Sequence, residues 1–172
     1  VSNFHRESDF TTREAVKTPA FWFISLGHGT ALLIVGAVMV HLVLHVNGEL
    51  GYSLTVAGLI VSLMTAMQIV GLISTGFLGD RIDKRIIVTT CMFFHAAGLL
   101  LLAYAQNIWM VVAFATLHGI AWGIRGPLMQ AIRADYFGAT HFGSIMGWSS
   151  MIVMFGMAIG PIYAGYMADH TG

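Results

Sequence analysis

Arg125 is the residue whose type and position point most directly to chemistry in this sequence. Between Arg85 and Arg125 there is no Asp, Glu, Lys or Arg, so this guanidinium lies deep in an apolar stretch. A charge inside a long apolar helix is costly, and it must face water, a counter-ion or both. A guanidinium can hold a carboxylate through two parallel hydrogen bonds. Arg125 therefore indicates a site for an anionic group; the alternatives are an ion pair with an acid outside this chain or hydrogen bonds to helix carbonyls.

Further side chains share a helical face with Arg125. At about 100° per residue, His118, Trp122 and Met129 fall within about 60° of one another and of Arg125. His118 can carry a proton near neutral pH, or it can be a hydrogen-bonded structural residue. Trp122 can stack on a substrate or pack against neighbouring helices. We expect this face to border a substrate pathway, with both alternatives open.

Other polar and small residues point to contacts between helices. Gln68 lies in a polar arc with Ser62, Thr65 and Thr75, which can make interhelical hydrogen bonds or line the same pathway. A separate face of the segment that contains Arg125 carries three glycines, and small residues allow helices to approach closely. These glycines are Gly119, Gly123 and Gly126.

Enzyme, metal and nucleic-acid sites are not indicated. No nucleophile, base and orienting group are grouped at a water interface, and a phosphate-binding loop is missing, so we expect no catalytic residues and no cofactor. His41 and His45 lie four residues apart, but a third metal ligand at a suitable spacing is lacking. Cys91 is the single cysteine and makes no disulfide within the chain. The formal net charge of zero gives no indication of nucleic-acid binding.

The composition predicts that membrane-spanning helices position these residues. Hydrophobic residues make up 57% of the chain and charged residues 9%, which is more apolar surface than a soluble fold of this size can bury. Runs of about 20 apolar residues are long enough to cross a bilayer as helices. The predicted spans are residues 21–46, 54–78, 86–105, 108–132 and 142–168. The chain is therefore expected to be all-α and polytopic, with a loop segment at 1–19, a transmembrane bundle at 20–168 and a short tail at 169–172.

The basic residues indicate how this bundle is oriented. Short connections make neighbouring helices antiparallel, which places most Lys and Arg side chains on the side of the N-terminal segment. These residues are Arg6, Arg13, Lys17, Arg81, Lys84, Arg85 and Arg133. The opposite side, with the loops near Glu49 and Gln106, has none. By the positive-inside rule, the N-terminal segment is expected in the cytoplasm, with the bundle in the cell membrane.

A tight turn after the second span has the sequence GFLGDRIDKR, residues 76–85. Gly76 and Gly79 are spaced for close helix contact. Asp80 can accept hydrogen bonds from the amides of a neighbouring helix N-terminus, and the basic residues can pair with nearby acids. Those basic residues are Arg81, Lys84 and Arg85. The turn is therefore predicted to latch helices together on the cytoplasmic side and to act as a gating motif.

This turn resembles the signature G-x-x-x-D-R-x-G-R/K-R of the major facilitator superfamily (MFS) of secondary transporters. The sequence departs from that signature at Asp83, where the family commonly has Gly. The stretch GWSSMIVMFGMAIGPIYAG, residues 147–165, resembles a glycine-rich pattern in the fifth helix of antiporters of that family. Within it, Gly156, Gly160 and Pro161 are expected to form a helix-bend motif. The opening TTREAVKTPAFW is similar to the end of the central loop that leads into the seventh helix.

The resemblance implies an incomplete six-helix MFS bundle, helices seven to eleven, from a C-terminal half. A missing N-terminal six-helix half of the same polypeptide and the lipid bilayer are then its expected partners. The family fold places a solute site near the midplane between two halves, alternately open to each side. The expected function is secondary active transport of a small solute, with a monocarboxylate-like organic anion suggested by Arg125. The alternatives are proton-coupled efflux of drugs or metabolites and, in another class, a membrane sensor or scaffold that moves nothing.

Cysteine labelling in intact vesicles tests the predicted orientation. In the full-length protein carrying Cys91→Ala, Leu50→Cys and Ile82→Cys should react with an impermeant maleimide from opposite faces, because one span separates them. Labelling of Ile82→Cys is expected from the cytoplasmic face. Reaction of both positions from a single face would contradict the predicted topology.

Overall fold

The computed structural model describes residues 9–171, and these fold as helices joined by short connections. The helices are α1 (Thr12–Ala15), α2 (Pro19–Leu44), α3 (Leu54–Gly79), α4 (Lys84–Ala103), α5 (Ile108–Phe137) and α6 (Phe142–Thr171), and α2 continues into a π-helical turn, His45–Glu49. Within the described residues, five helices are long and apolar enough to cross a membrane. The predicted all-α, polytopic class is confirmed. Residues 1–8, with Arg6 of the predicted cytoplasmic segment, and Gly172 of the tail lie outside the described residues.

Spans α2, α3 and α5 begin where a side chain accepts hydrogen bonds from the first backbone amides of the helix. Thr18 accepts a hydrogen bond from the Phe21 amide at 3.2 Å, and Pro19 follows at the first helical position. Ser53 caps α3 and Asn107 caps α5 through their side-chain oxygens. Each of these caps lies directly before an apolar run, so the local sequence fixes where the helix enters the bundle.

α5 is longer than the apolar pattern predicts. It was expected to end near residue 132, but it runs to Phe137 and contains 30 residues, which is roughly 45 Å at 1.5 Å per residue. The helix continues because Arg133 is buried inside the bundle rather than exposed in a loop. It ends at Gly138, whose φ of 78° lies in the left-handed region that favours glycine.

Extensive contacts join α3 with α5, α2 with α6 and α4 with α5. In the first pair, two glycines of α5 lie directly against the α3 backbone. A Cβ added at Gly119 would collide with the carbonyl oxygen of Met64, and one at Gly123 with that of Gln68. Small residues permit this close approach. Gly126, predicted to share their packing role, does not: apart from the adjacent backbone of α5, no atom of the described residues lies within 4 Å of its Cβ position.

α2 and α6 approach each other through two glycines of the predicted helix-bend motif. A Cβ at Gly156 would meet the backbone of Gly29, and one at Gly160 would meet the α2 backbone one turn further along. The helix is continuous through Pro161, whose carbonyl accepts a hydrogen bond from His41 Nε2 at 3.0 Å. These two glycines therefore contribute close helix packing.

Large apolar side chains cover the outside of the bundle. Phe23 is 78% exposed and Ile73 is 76% exposed, and many other large hydrophobic residues also point outwards. Water disfavours such a surface, whereas hydrocarbon tails solvate it. The exterior thus fits a lipid environment.

A pair of glycine substitutions tests the α3–α5 packing. Gly123→Ala should lower the free energy of unfolding by about 1–3 kcal/mol, because the added methyl group forces the two backbones apart. Gly126→Ala is the matched control on the same helix, and it should be neutral or stabilise by about 0.5–1 kcal/mol, since alanine favours helix and the site is open. SDS-induced unfolding of the purified full-length protein in mixed micelles measures both. Equal effects of Gly123→Ala and Gly126→Ala on the free energy of unfolding would contradict close α3–α5 packing at Gly123.

Candidate functional site

Arg125 is buried and makes no hydrogen bond within the described part of the chain. Its side chain is 1% exposed, and neither Nε nor either Nη atom has a partner there. The acidic side chains in residues 9–171 lie in connections or near helix ends. A buried charge without a partner is strongly unfavourable. Arg125 therefore marks the point in the bundle interior where an anion would be bound most favourably.

A cavity of about 270 Å³ lies beside Arg125, between α2, α4 and α5. Its wall is mostly apolar. The polar and charged residues that the described chain contributes to it are His28, Arg85, Thr89, Arg125 and Tyr136. The described wall thus contains two cations and no carboxylate. Apolar walls with a few convergent donors are typical of small-molecule sites, and two cations in such a wall are electrostatically favourable for an anion and unfavourable for a cation.

Arg133 is the centre of a buried polar network that joins α2, α5 and α6. Its Nε donates to Ser149 Oγ at 2.9 Å, and its Nη1 donates to the Met129 carbonyl at 3.0 Å. Its Nη2 lies 3.1 Å from His28 Nδ1, and the Ser25 and Ser149 hydroxyls are 2.8 Å apart. Arg133, counted with the cytoplasmic basic residues from its position in the sequence, is 2% exposed. It is part of the framework of the bundle.

His118 pairs with His95 of α4. The two Nδ1 atoms are 3.0 Å apart, and both rings are buried. One ring must donate and the other accept, so the neutral rings hold different tautomers. Each Nε2 is buried without a partner among the residues described. The pair is positioned to share a proton. The helical periodicity of α5 does not indicate this pair, because His95 lies on α4.

The structure brings few of the predicted pathway residues together. Gln68 is half-buried on α3, and its backbone carbonyl faces Gly123. The centre of the Trp122 ring lies 6.5 Å from that of the His118 ring. Neither belongs to the cavity wall, and His118 does not either. Of the four predicted pathway residues, Arg125 is the one that lines the cavity formed by residues 9–171.

His28 is the wall residue that sequence reasoning missed. It occupies the middle of GHG, residues 27–29, inside the first predicted span. A useful signal was present: His28 is a titratable side chain inside an apolar span, flanked by residues small enough to let other groups approach. The sequence does not show that Arg133, 105 positions further along the chain, lies next to His28 in the fold.

The charged turn is joined to the end of α5 by its basic residues. Lys84 Nζ lies 2.5 Å from Asp135 Oδ2, and the Arg85 guanidinium lies 5.0 Å from the centre of the Tyr136 ring. Arg81 instead stacks on an aromatic ring of α3 at 3.9 Å. Because both partners are partly exposed, the Lys84–Asp135 pair contributes roughly 0.2–1 kcal/mol. The turn therefore ties α4 to α5 at one end of the bundle.

The remaining residues of the turn differ in what they contact. Asp80 is exposed, and its carboxylate makes no hydrogen bond within residues 9–171, so its expected contact with a helix N-terminus is not made there. A Cβ added at Gly79 would lie 3.3 Å from the Leu128 side chain, whereas one added at Gly76 would meet no described atom within 4 Å outside the neighbouring backbone of α3. Close helix contact thus involves Gly79. Asp83, which replaces the glycine of the signature, caps α4 by accepting a hydrogen bond from a backbone amide at 2.8 Å.

The N-terminal segment packs against the connection between α5 and α6. Asp9 accepts hydrogen bonds from the Thr140 hydroxyl at 2.7 Å and the Thr140 amide at 3.3 Å. These hydrogen bonds hold the pKa of Asp9 below its ordinary value. The Phe10 amide donates to the Phe137 carbonyl at 3.1 Å. The N-terminal segment and the end of α5 that binds the charged turn therefore lie at the same end of the bundle.

Comparison with known proteins agrees with this architecture. The family model described as Major Facilitator Superfamily matches residues 24–172. The chain belongs to the Major Facilitator Superfamily. It is thus a multi-pass membrane protein, and the resemblance seen in the charged turn is confirmed at the level of the family.

Curated MFS relatives match parts of the chain at low identity. An uncharacterized MFS-type transporter, YcnB of Bacillus subtilis, is 28% identical over 95 residues, which is 55% of this chain and 20% of the relative. Monocarboxylate transporter 13 of Rattus norvegicus is 27% identical over 135 residues, 77% of this chain and 31% of the relative. Multidrug resistance protein MdtG of Salmonella typhi is 30% identical over 116 residues, 67% of this chain and 28% of the relative. The chain therefore spans less than a third of the length of each of these relatives, whose names describe transporters or resistance proteins rather than enzymes.

Proposed function

We propose that this MFS chain forms part of a secondary active transporter that moves a small monocarboxylate-like organic anion across the cell membrane by alternating access. The observation that carries the proposal is Arg125: a guanidinium that is 1% exposed, lines a cavity and has no hydrogen-bond partner among the described residues. A bound carboxylate supplies the missing charge and accepts two parallel hydrogen bonds. The name of the Rattus norvegicus relative, monocarboxylate transporter 13, is compatible with this substrate class.

The proposed transporter contains a second six-helix half that packs against this bundle. In the MFS fold, the solute site lies between two such halves, and rocking of one against the other opens it to each side in turn. We assign this chain to the C-terminal half, with the N-terminal segment in the cytoplasm. The Lys84–Asp135 pair and the stacking of Arg85 on Tyr136 support a role for the charged turn as part of a cytoplasmic latch. Asp80, exposed at the same turn, is then available to the opposite half.

Proton-coupled efflux of a drug or metabolite is the second candidate. The observation that favours it is the His95–His118 pair, whose buried rings share one hydrogen bond and keep two Nε2 atoms without partners in the described structure. Such a pair can take up and release a proton during a transport cycle. The name of the relative from Salmonella typhi, a multidrug resistance protein, agrees with this candidate.

Uptake of radiolabelled lactate by the full-length protein in proteoliposomes tests the proposed function. Arg125→Ala should reduce uptake at low lactate concentration by roughly 10- to 100-fold, because it removes charge-assisted hydrogen bonds to the carboxylate. Arg125→Lys should also reduce uptake if both hydrogen bonds of the guanidinium are used, whereas full retention indicates simple charge attraction. Arg13→Ala, at an exposed arginine of α1, is the matched control and should transport normally.

The other outcomes of this experiment separate the rival functions. Unchanged uptake with both Arg125 variants would remove Arg125 from the site. Lactate-independent drug efflux driven by a proton gradient, abolished by His118→Ala, would favour the second candidate. Correct insertion without transport of any solute would favour a membrane sensor or scaffold.

A further inference from the structure

His28 of α2 is held from one side and faces a cavity on the other. Its ring is half-buried and lines the cavity that contains Arg125. Its Nδ1 lies 3.1 Å from Nη2 of Arg133, whose other nitrogens are fixed by Ser149 and the Met129 carbonyl. The Nε2 atom of His28 makes no hydrogen bond to a residue that the structure describes. The ring therefore has one nitrogen committed to the framework and one available to a ligand.

The contact with Arg133 determines which nitrogen of His28 carries the hydrogen. A guanidinium has five N–H donors and no acceptor. His28 Nδ1 must therefore accept the hydrogen bond, and the hydrogen of the neutral ring must lie on Nε2. Arg133 is anchored by Ser149 of α6 and by the α5 backbone. Contacts among three helices therefore fix this tautomer of His28.

We propose that His28 is a second anion-binding group of the Arg125 cavity and that Arg133 is the positioning residue that fixes its tautomer. In this arrangement, the ligand carboxylate accepts hydrogen bonds from Arg125 and from the Nε2–H of His28. Two donors from α2 and α5 then hold the carboxylate between them, so the ligand bridges helices that otherwise contact each other little. The inference rests on the proposed function, and it names the residues that select a carboxylate over a neutral analogue.

The chemistry explains why two donors of different kinds occur in one cavity. A single buried cation attracts any anion, whereas a cation together with a directional neutral donor recognises the position of both carboxylate oxygens. An amide analogue of the ligand carries no charge and has an NH2 donor in place of one carboxylate oxygen. It therefore neither neutralises Arg125 nor offers both oxygens as acceptors. The cavity should therefore discriminate strongly between lactate and lactamide.

Isosteric variants of His28 test the inference in the full-length protein. The side-chain amide of Gln places an N–H donor near the position of Nε2, whereas that of Asn reaches only the position of Nδ1. His28→Gln should keep the KM for radiolabelled lactate within about threefold of the original value, and His28→Asn should raise it roughly tenfold with a smaller effect on kcat. Discrimination between lactate and lactamide, measured by competition, should fall in parallel with His28→Asn.

The positioning role of Arg133 is tested by combining an Arg133 substitution with a His28 substitution. Arg133→Met removes the donor that fixes the tautomer and should raise KM, but the double variant with His28→Asn should be no worse than His28→Asn by itself. Thr30→Ala is the matched control on α2. Thr30 is exposed two residues from His28, does not line the cavity, and donates its hydroxyl hydrogen to the Leu26 carbonyl at 2.9 Å. Its loss should leave KM unchanged even where stability falls. Size-exclusion profiles in detergent verify that each variant is folded.

The results also separate this inference from the proposed function. If Arg125→Ala abolishes uptake while His28→Asn leaves KM within twofold, the role of His28 is overturned and the proposed function stands. Equal KM increases with His28→Asn and Thr30→Ala would also overturn the role of His28, because they would indicate a general structural effect on α2. If Arg125→Ala, His28→Asn and Arg133→Met all take up lactate normally, this cavity is not the carboxylate site and the role of His28 is overturned. If the original protein takes up no lactate, the proposed function itself fails.

Discussion

The free-energy cost of burying a guanidinium in an apolar bundle is the constraint on which this structure depends. Two arginines of α5, Arg125 and Arg133, are almost completely buried, and within residues 9–171 neither is paired with a carboxylate. Arg133 is stabilised by acceptors from three helices, whereas Arg125 finds none there. This difference makes Arg133 a part of the framework and makes Arg125 the proposed group for an anionic ligand.

The close helix packing is what brings that framework together. Lipid provides little hydrophobic driving force between helices, so association depends on close contact and on buried hydrogen bonds. Glycines of α5 and α6 supply the contact with α3 and α2, while Arg133 and the two serines supply polar bonds across the junction. At one end, Lys84 and Arg85 tie α4 to α5. The cavity is the space that remains between elements fixed in these ways.

The sequence was sufficient to predict features of single helices, but it was not sufficient to predict contacts between two helices. Composition and run length were sufficient for the all-α class, and the lack of nearby charge marked Arg125 as exceptional. A helical wheel defines faces but not neighbours, so it grouped His118 with Arg125 although His118 pairs with α4. For the same reason, it assigned Gly126 to a packed face that is open among the described residues. His28 became a candidate only through its distance to Arg133.

The central claim is that the Arg125 cavity binds a carboxylate, and binding to the purified protein tests it without reference to transport. A ligand that binds only the folded state raises the unfolding temperature as its concentration increases, with about 2.7 kcal/mol of stabilisation at 100 times Kd. We expect lactate to raise the Tm of the full-length protein, lactamide to have no effect, and the Arg125→Met variant to respond to neither. An equal rise in Tm with lactate in the original protein and in Arg125→Met would contradict the claim.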